Sequence, residues 1–301
     1  MKMRKLFTAA FCALLCSAAT ASAPKLPPPP SPKKVHPGIW KLADADTTIY
    51  LFGTIHVLPK NYFWRTAKFN QIAASADTLV LEVNDLDDQA KTARTFIKLA
   101  VSPGLPPVVE RVPEKLRPEL SKVIGNAGIP AKTLDQFESW AVAITLAAGM
   151  LKDLDVSPDD GVERILSTQF RAAKKPVEGL ETSEWQLGLF DKLSESAQRS
   201  FLIGMLDTKE DPVTEYSRML GAWSKGNDNA IALSFDDELK LSPELSNVLL
   251  HQRNTNWADL LKKRLDKPGV ILVAVGAGHL AGPDSVQTLL GKRGVKVTRV
   301  Q

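Results

Sequence analysis

The chain has 301 residues, with 38 Lys and Arg against 34 Asp and Glu, so its formal net charge is +4. A chain of this length buries about 75% of the surface that it would expose when unfolded, so it needs no disulfides to fold. Hydrophobic content of 44% and charged content of 24% are typical of a soluble globular protein. This composition excludes a disordered chain, a collagen and a polytopic membrane protein.

The first residues have the features of an export signal. A basic segment at residues 2–5 precedes an apolar run at residues 6–16, and small residues at 19–21 fit a cleavage site. The apolar run is too short to span a membrane comfortably, which argues against an N-terminal anchor. We therefore predict cleavage after Ala21 and a periplasmic or secreted protein that meets the membrane only during export.

Removal of residues 1–21 would change both the charge and the cysteine content. Three basic residues leave, so the net charge falls from +4 to +1, which argues against a nucleic-acid partner. Cys12 and Cys16 also leave, and the mature protein would have neither a disulfide nor a thiolate nucleophile. Residues 22–37 contain seven prolines and are predicted to form a stiff, extended tether.

The rest of the chain, residues 38–301, is predicted to be one α/β domain with strands at both ends. The predicted strands are residues 39–42, 48–52, 78–83, 177–179, 270–275 and 295–300, and the predicted helices at the two ends are residues 61–76 and 284–290. Residues of about 86–265 are mostly helical. Strands that alternate with helices predict a central, mostly parallel or mixed sheet, with the first and last strands as neighbours and the helical middle as a cap.

The apolar stretch at residues 134–151 is nearly as long as a membrane-spanning helix. Glu138 interrupts it and no basic flank follows closely. We therefore predict a buried core helix.

A repeated pattern places two histidines after two predicted strands. Gly53-Thr-Ile-His56 and Gly276-Ala-Gly-His279 each follow an apolar strand, and each precedes a proline by a few positions. Ligand sites gather at the carboxyl ends of strands in α/β sheets, and imidazole is the commonest neutral metal ligand. A single histidine of this kind more often caps a strand, but the matched pair predicts a metal site.

Several polar residues could complete such a site. Glu82 ends a short apolar strand, where an unpaired carboxylate would be costly, so we expect a metal ligand, a general base or a salt bridge to an arginine. Glu163 and Glu181 are further candidate carboxylates. Arg253-Asn254 could bind an anionic group of a substrate or form part of a helix surface.

Other catalytic motifs are missing from the sequence. There is no H-E-x-x-H, G-x-S-x-G or Walker A pattern. Residues 276–281 match G-x-G-x-x-A, but the acidic residue that would bind a ribose at the end of the next strand is absent. This argues against a nicotinamide enzyme.

Taken together, these motifs resemble the TraB/GumN family over residues 38–301. The resemblance rests mainly on the two G-x-x-H elements and the intervening Leu81-Glu82-Val83, and continues at residues 161–163, 180–182 and 253–254. The family includes the Tiki proteins, described as metal-dependent proteases, and is considered related to erythromycin esterase-like and ChaN-like proteins. The resemblance implies a divalent metal, often manganese or cobalt, bound by His56, His279 and a glutamate. Glu163 departs from the family pattern, in which Asp is expected.

The sequence thus leads to two hypotheses for the function of the protein. The first is a metal-dependent hydrolase, most readily a peptidase, in which His56, His279 and either Glu82 or Glu181 bind manganese, cobalt or zinc. A glutamate outside the metal shell would accept a proton, Arg253 would stabilise an oxyanion, and Asn254 and Glu163 would contact a peptide or small-molecule substrate. The alternative is a non-catalytic haem- or ligand-binding protein of the ChaN-like type.

Overall fold

The computed structural model of the protein describes residues 35–85, 88–151, 154–206, 211–239 and 242–301. The predicted signal segment and most of the tether lie outside the described residues. The strands are β1 Ile39–Ala43, β2 Thr47–Thr54, β3 Leu58–Pro59, β4 Thr78–Val83, β5 Val156–Ser157, β6 Val177–Glu181, β7 Gly269–Gly276 and β8 Val297–Arg299.

Helices occupy most of the remaining described residues. They are α1 Ala67–Ser75, α2 Gln89–Ala100, α3 Arg117–Ala127, α4 Ala131–Leu134, α5 Ser139–Leu151, α6 Val162–Ala172, α7 Ser183–Asp191, α8 Glu195–Leu206, α9 Pro212–Ser224, α10 Asp228–Leu239, α11 Pro243–Ser246, α12 Gln252–Arg264 and α13 Val286–Lys292. A π-helical turn, Asn247–His251, joins α11 to α12, and a 3₁₀ turn, Ala277–Leu280, follows β7.

The central sheet has the strand order β6-β4-β7-β2-β1-β8. The pairs β4–β6, β4–β7 and β2–β7 are parallel, whereas β1 pairs antiparallel with both β2 and β8. The prediction of a mixed α/β sheet built from both ends of the chain is therefore confirmed. The first and last strands were predicted to be adjacent in the sheet, and the β1–β8 pair confirms this.

The apolar sequence of β7 explains why this strand lies inside the sheet. Residues 271–276 are all buried, because helices cover both faces of the strand. Its side chains alternate between two cores. Leu272 and Ala274 belong to the core formed with α1, α6 and α9, whereas Ile271 and Val273 belong to the core formed with α12 and α13.

A third core fills the helical middle of the chain and is formed mainly by α2, α3, α5 and α8. As predicted, α5 is buried along most of its length. Among the described residues, no helix is both long and apolar enough to cross a bilayer.

Some predicted boundaries were wrong. The helix predicted at residues 61–76 begins only at Ala67, because the Thr66 side chain accepts a hydrogen bond from Phe69 N and caps the helix there. The helix predicted at residues 134–151 is divided into α4 and α5. At the break, the buried Arg111 guanidinium donates to the carbonyl oxygens of Asp135 and Phe137, which therefore do not serve a continuous helix.

The short antiparallel pair of β3 and β5 was missed altogether. Leu58 pairs with Ser157, and Pro59 pairs with Val156. Two-residue strands are too short to show an alternating pattern, so neither strand was predicted and β5 fell within the region predicted to be mostly helical.

The fold predicts a large difference between two Leu-to-Ala substitutions. Leu272 is 0% exposed at the centre of the sheet, whereas Leu233 on α10 is 61% exposed. Leu272→Ala should lower the free energy of unfolding by about 2–5 kcal/mol, because it leaves a cavity. Leu233→Ala should change it by less than about 0.5 kcal/mol. Urea denaturation of both variants measures this, and equal destabilisation would contradict the arrangement of the core.

Candidate active site at the carboxyl ends of the parallel strands

Four neighbouring parallel strands end at one edge of the sheet, and each brings one of the predicted residues there. His56 follows β2, His279 follows β7, and Glu82 and Glu181 lie at the ends of β4 and β6. The strands β2 and β7 pair with Thr54 opposite Gly276, so the two G-x-x-H elements are offset by one residue. His56 lies in a loop, whereas His279 lies in the 3₁₀ turn.

Gly276 is the point at which these side chains converge. A Cβ atom on this residue would lie 3.0 Å from Glu82 Oε1, 3.4 Å from His56 Nε2 and 3.7 Å from His279 Cδ2. The Gly276 N–H also donates to Glu82 Oε1 at 2.7 Å. Glycine therefore leaves room beside the backbone for both imidazoles and the carboxylate.

His279 is oriented by Asn254 on α12. The Asn254 Nδ2 group donates to the carbonyl oxygens of His279 and Asp284, so its Oδ1 faces His279 Nδ1 at 2.6 Å. An amide oxygen only accepts, so His279 carries its proton on Nδ1 and has a lone pair on Nε2. Burial and the Arg253 charge lower the pKa of His279 to about 3, which keeps the ring neutral.

His56 is oriented by Glu163 in the first turn of α6. His56 Nδ1 lies 2.6 Å from Glu163 Oε1, which also accepts a hydrogen bond from Thr54 Oγ1. Burial lowers the pKa of His56, but the Glu163 and Glu82 carboxylates outweigh this effect and raise it to about 9. His56 Nε2 is buried and finds no hydrogen-bond partner among the residues that the structure describes.

Glu82 is held between the imidazoles and Arg253. Its Oε1 lies 3.8 Å from His279 Nε2, and its Oε2 accepts from Arg253 Nη2 at 2.7 Å and from Gln186 Nε2 at 3.2 Å. Burial raises the pKa of Glu82, but Arg253 and both histidines outweigh it and hold the pKa well below its usual range. The side chain is therefore an ionised carboxylate.

Arg253 is buried and uses all five of its N–H groups inside the protein. Nε donates to both oxygens of Glu181 at 3.0 and 3.1 Å. Nη2 donates to Glu82 Oε2 at 2.7 Å and to Glu181 Oε2 at 2.9 Å. Nη1 donates to the Leu249 carbonyl oxygen at 3.3 Å and to His279 Nε2 at 3.1 Å.

Two residues of this network were not among the predicted site residues. Trp257 Nε1 donates to Glu181 Oε1 at 2.7 Å, and the indole lies 4.4 Å from the His279 ring and 4.8 Å from the Arg253 guanidinium. Gln186 on α7 bridges Glu82 and Glu181. The position of Trp257, four residues after Arg253, is the signal that could have indicated it, because such residues share a helix face.

Helices from the middle of the chain fix the loop that carries His56. Trp223 Nε1 donates to the Gly53 carbonyl oxygen at 2.8 Å, and Tyr216 OH donates to the Val57 carbonyl oxygen at 2.7 Å. On the side of α6, Gly161 approaches so closely that a Cβ there would lie 2.0 Å from the His56 carbonyl oxygen. The first G-x-x-H loop is therefore held between α9 and the start of α6.

The side chains suit a divalent ion in chemistry and orientation. Metal-ligating histidines usually donate their second ring N–H to a fixed acceptor, as His56 does to Glu163 and His279 does to Asn254. Within the described part of the chain, His56 Nε2 has no hydrogen-bond partner, and Glu82 Oε1 accepts a hydrogen bond from the Gly276 N–H alone. Across the described ranges, however, no three His, Cys, Asp or Glu side chains are already arranged to hold a metal ion. The donors fit such an ion once His56 Nε2 gives up the proton that its raised pKa retains and Arg253 Nη1 releases His279 Nε2.

The fold and the site define an α/β protein with two histidines and paired glutamates at the carboxyl edge of its parallel strands. The model of the TraB/PrgY/gumN family matches residues 38–299, and the chain belongs to this family. Uncharacterized protein YbaP of Escherichia coli (strain K12) is 26% identical over 252 residues, and the match covers 80% of this chain and 87% of YbaP. An uncharacterized protein of Treponema pallidum (strain Nichols) is 22% identical over 275 residues, and the match covers 84% of this chain and 80% of that protein. No solved structure shows a significant match.

The close approach of Gly161 predicts that an added methyl group displaces the His56 loop. Gly161→Ala should lower the free energy of unfolding by about 1–3 kcal/mol, because neither backbone can yield without strain. Gly188→Ala on α7 is the matched control, since its Cβ would meet nothing within 4 Å. It should stabilise the helix by about 0.5–1 kcal/mol. Thermal unfolding compares the two variants, and an unchanged Gly161→Ala protein would contradict this packing.

Proposed function

We propose that the chain is a metal-dependent hydrolase with peptide bonds as its substrate class. The observation that carries this proposal is the convergence of His56 Nε2, Glu82 Oε1 and the His279 ring around Gly276. Membership of the TraB/PrgY/gumN family supports it, because the resemblance to metal-dependent proteases includes both G-x-x-H elements.

We also propose that the protein acts outside the cytoplasm, in the periplasm or after secretion. The basic segment, apolar run and small residues at the start of the sequence support export. The lack of cysteine beyond residue 16 is compatible with an oxidising compartment, since no thiol would be exposed to it.

His56 Nε2, His279 Nε2 and Glu82 Oε1 would hold the divalent ion, for which manganese, cobalt and zinc are the candidates. Such an ion lowers the pKa of a bound water, which supplies a nucleophile near neutral pH. Glu163 and Asn254 would position the two imidazoles through their Nδ1 atoms, rather than contact the substrate.

Glu82 suits the site better than Glu181 does. Both oxygens of Glu181 are already bonded to Arg253, and Oε1 also accepts from Trp257. Glu82 Oε1, in contrast, accepts one hydrogen bond from the described residues, that of the Gly276 N–H, and lies beside both imidazoles. We therefore assign Glu82 as the carboxylate that binds the ion or accepts a proton from water, and Glu181 as the partner of Arg253.

Arg253 would neutralise these carboxylates and fix their positions. Its five N–H groups all have protein acceptors, so it could stabilise an oxyanion only by giving up one of them. Its role in the resting site is therefore to position Glu82, and a contact with the transition state would need a rearrangement.

The two histidines should be required for metal binding. His56→Ala and His279→Ala should each weaken Mn²⁺, Co²⁺ or Zn²⁺ binding by about 10- to 100-fold or more, and should abolish chelator-sensitive hydrolysis of peptides. His36→Ala is the matched control, because His36 is exposed. Calorimetric titration and peptide hydrolysis measure both effects.

Two results would count against the hydrolase. Unchanged metal affinity in both site variants would exclude the proposed ligands. A Soret band on adding haem, together with no hydrolysis of any peptide tested, would favour the non-catalytic ligand-binding alternative.

Glu82→Gln should separate chemistry from structure. The amide can neither accept a proton nor match the ionised carboxylate, so turnover should fall by about 100-fold or more. The melting temperature should also fall, because the amide NH₂ group replaces one carboxylate oxygen. That group cannot accept a hydrogen bond, so either Arg253 Nη2 or the Gly276 N–H loses its acceptor. Melting temperature, metal content and hydrolysis are measured on the same variant. Full activity with a lowered melting temperature would show that Glu82 is only a structural partner of Arg253.

A further inference from the structure

We propose that Arg253 masks His279: its guanidinium occupies the lone pair that a divalent cation would use, so that the two cations compete for one nitrogen atom. The proposal rests on the proposed function only in taking His279 as a cation ligand. It concerns how the residues of this chain control access to that ligand, and its test measures binding rather than turnover.

His279 offers a single hydrogen-bond acceptor. Asn254 Oδ1 holds the proton on Nδ1, so the ring has one lone pair, on Nε2. Arg253 Nη1 lies 3.1 Å from Nε2 and donates to it. A metal ion and this N–H cannot use the same lone pair at once.

The positive charge of Arg253 also opposes the binding of a second cation. The Arg253, Glu82 and Glu181 side chains are only 4%, 9% and 4% exposed, so their charges are compensated inside the protein. The guanidinium is the cation that both carboxylates contact in this structure. A second cation beside it meets repulsion that water screens poorly at this depth.

Release of His279 Nε2 by Arg253 does not require the whole hydrogen-bond network to break. Only Nη1 contacts His279, whereas Nε and Nη2 bind the carboxylates. The other partner of Nη1 is the Leu249 carbonyl oxygen, in the π-helical turn that precedes Arg253. Such turns interrupt the regular helical hydrogen bonds and often lie at functional sites.

The test is titration of the metal-free protein with MnCl₂, by calorimetry and by thermal unfolding. Arg253→Gln removes the positive charge, so its Mn²⁺ affinity should exceed that of the wild type by about tenfold or more. Without Mn²⁺ this variant should melt at a lower temperature, because two buried carboxylates lose their partner. Mn²⁺ should then raise its melting temperature by more than it raises that of the wild type.

Arg253→Lys keeps the test decisive if Arg253→Gln does not fold. A lysine retains the charge but carries all its N–H donors on one nitrogen atom. It therefore cannot replace Nε, Nη1 and Nη2 of Arg253, which donate to His279 and both carboxylates from three positions. We expect tighter Mn²⁺ binding than in the wild type, by a smaller factor than for Arg253→Gln.

Arg111→Gln is the matched control for loss of a buried arginine. Arg111 is 2% exposed and donates to three backbone carbonyl oxygens, those of Pro106, Asp135 and Phe137. This variant should be destabilised, and Mn²⁺ should raise its melting temperature no more than it raises that of the wild type.

Three outcomes would overturn the proposal. In the first, a folded Arg253 variant binds Mn²⁺ no more tightly than the wild type does. In the second, Mn²⁺ raises the melting temperature of Arg111→Gln as much as that of the Arg253 variant. In the third, none of the proteins binds Mn²⁺. If Arg253→Gln binds Mn²⁺ more tightly and the wild type hydrolyses no peptide, the masking is supported and the hydrolase is rejected. The two proposals can therefore fail separately.

Discussion

The buried contact of Arg253 with Glu82 and Glu181 is the interaction on which the arrangement of the site depends. Burying one unpaired charge is costly, and a buried network is stable only when its donors and acceptors are matched. Here all five N–H groups of Arg253 have acceptors, which come from β4, β6, the π-helical turn and the 3₁₀ turn after β7. Four distant segments are thereby fixed relative to one another. The site is therefore ordered by its own side chains, before any ligand is considered.

The two G-x-x-H elements show how one motif can serve two electrostatic roles. His56 lies beside Glu163, which raises the pKa of its imidazole, whereas His279 lies beside Arg253, which lowers the pKa of its imidazole together with burial. In each case Nδ1 is held by a partner from a helix, and the rest of the ring faces Gly276. The strand places the histidine at the edge of the sheet, but burial and the charged side chain of the neighbouring helix together set its charge.

This division also explains how much the sequence could predict. The apolar strands and the residues that follow them were recognisable, because parallel strands end at a common edge, and so His56, His279 and Glu82 were expected there. The partners of Asn254 and Glu163 were not recognisable, because each depends on which helix face turns toward the sheet. Both were expected to contact substrate, and the structure places both against an imidazole Nδ1. The β3–β5 pair was missed because it is too short to show periodicity.

The helical middle of the chain is therefore more than a cover over the sheet. It supplies Glu163, Arg253 and Asn254, and α9 holds both ends of the His56 loop through the hydrogen bonds of Trp223 and Tyr216. Those two donors are satisfied by backbone carbonyl oxygens of the loop, so any shift of α9 must either move the loop or leave buried polar groups unpaired. A change in the packing of the middle helices is thus transmitted to His56 by the cost of unpaired hydrogen bonds. The geometry of the site therefore depends directly on the packing of the helical region.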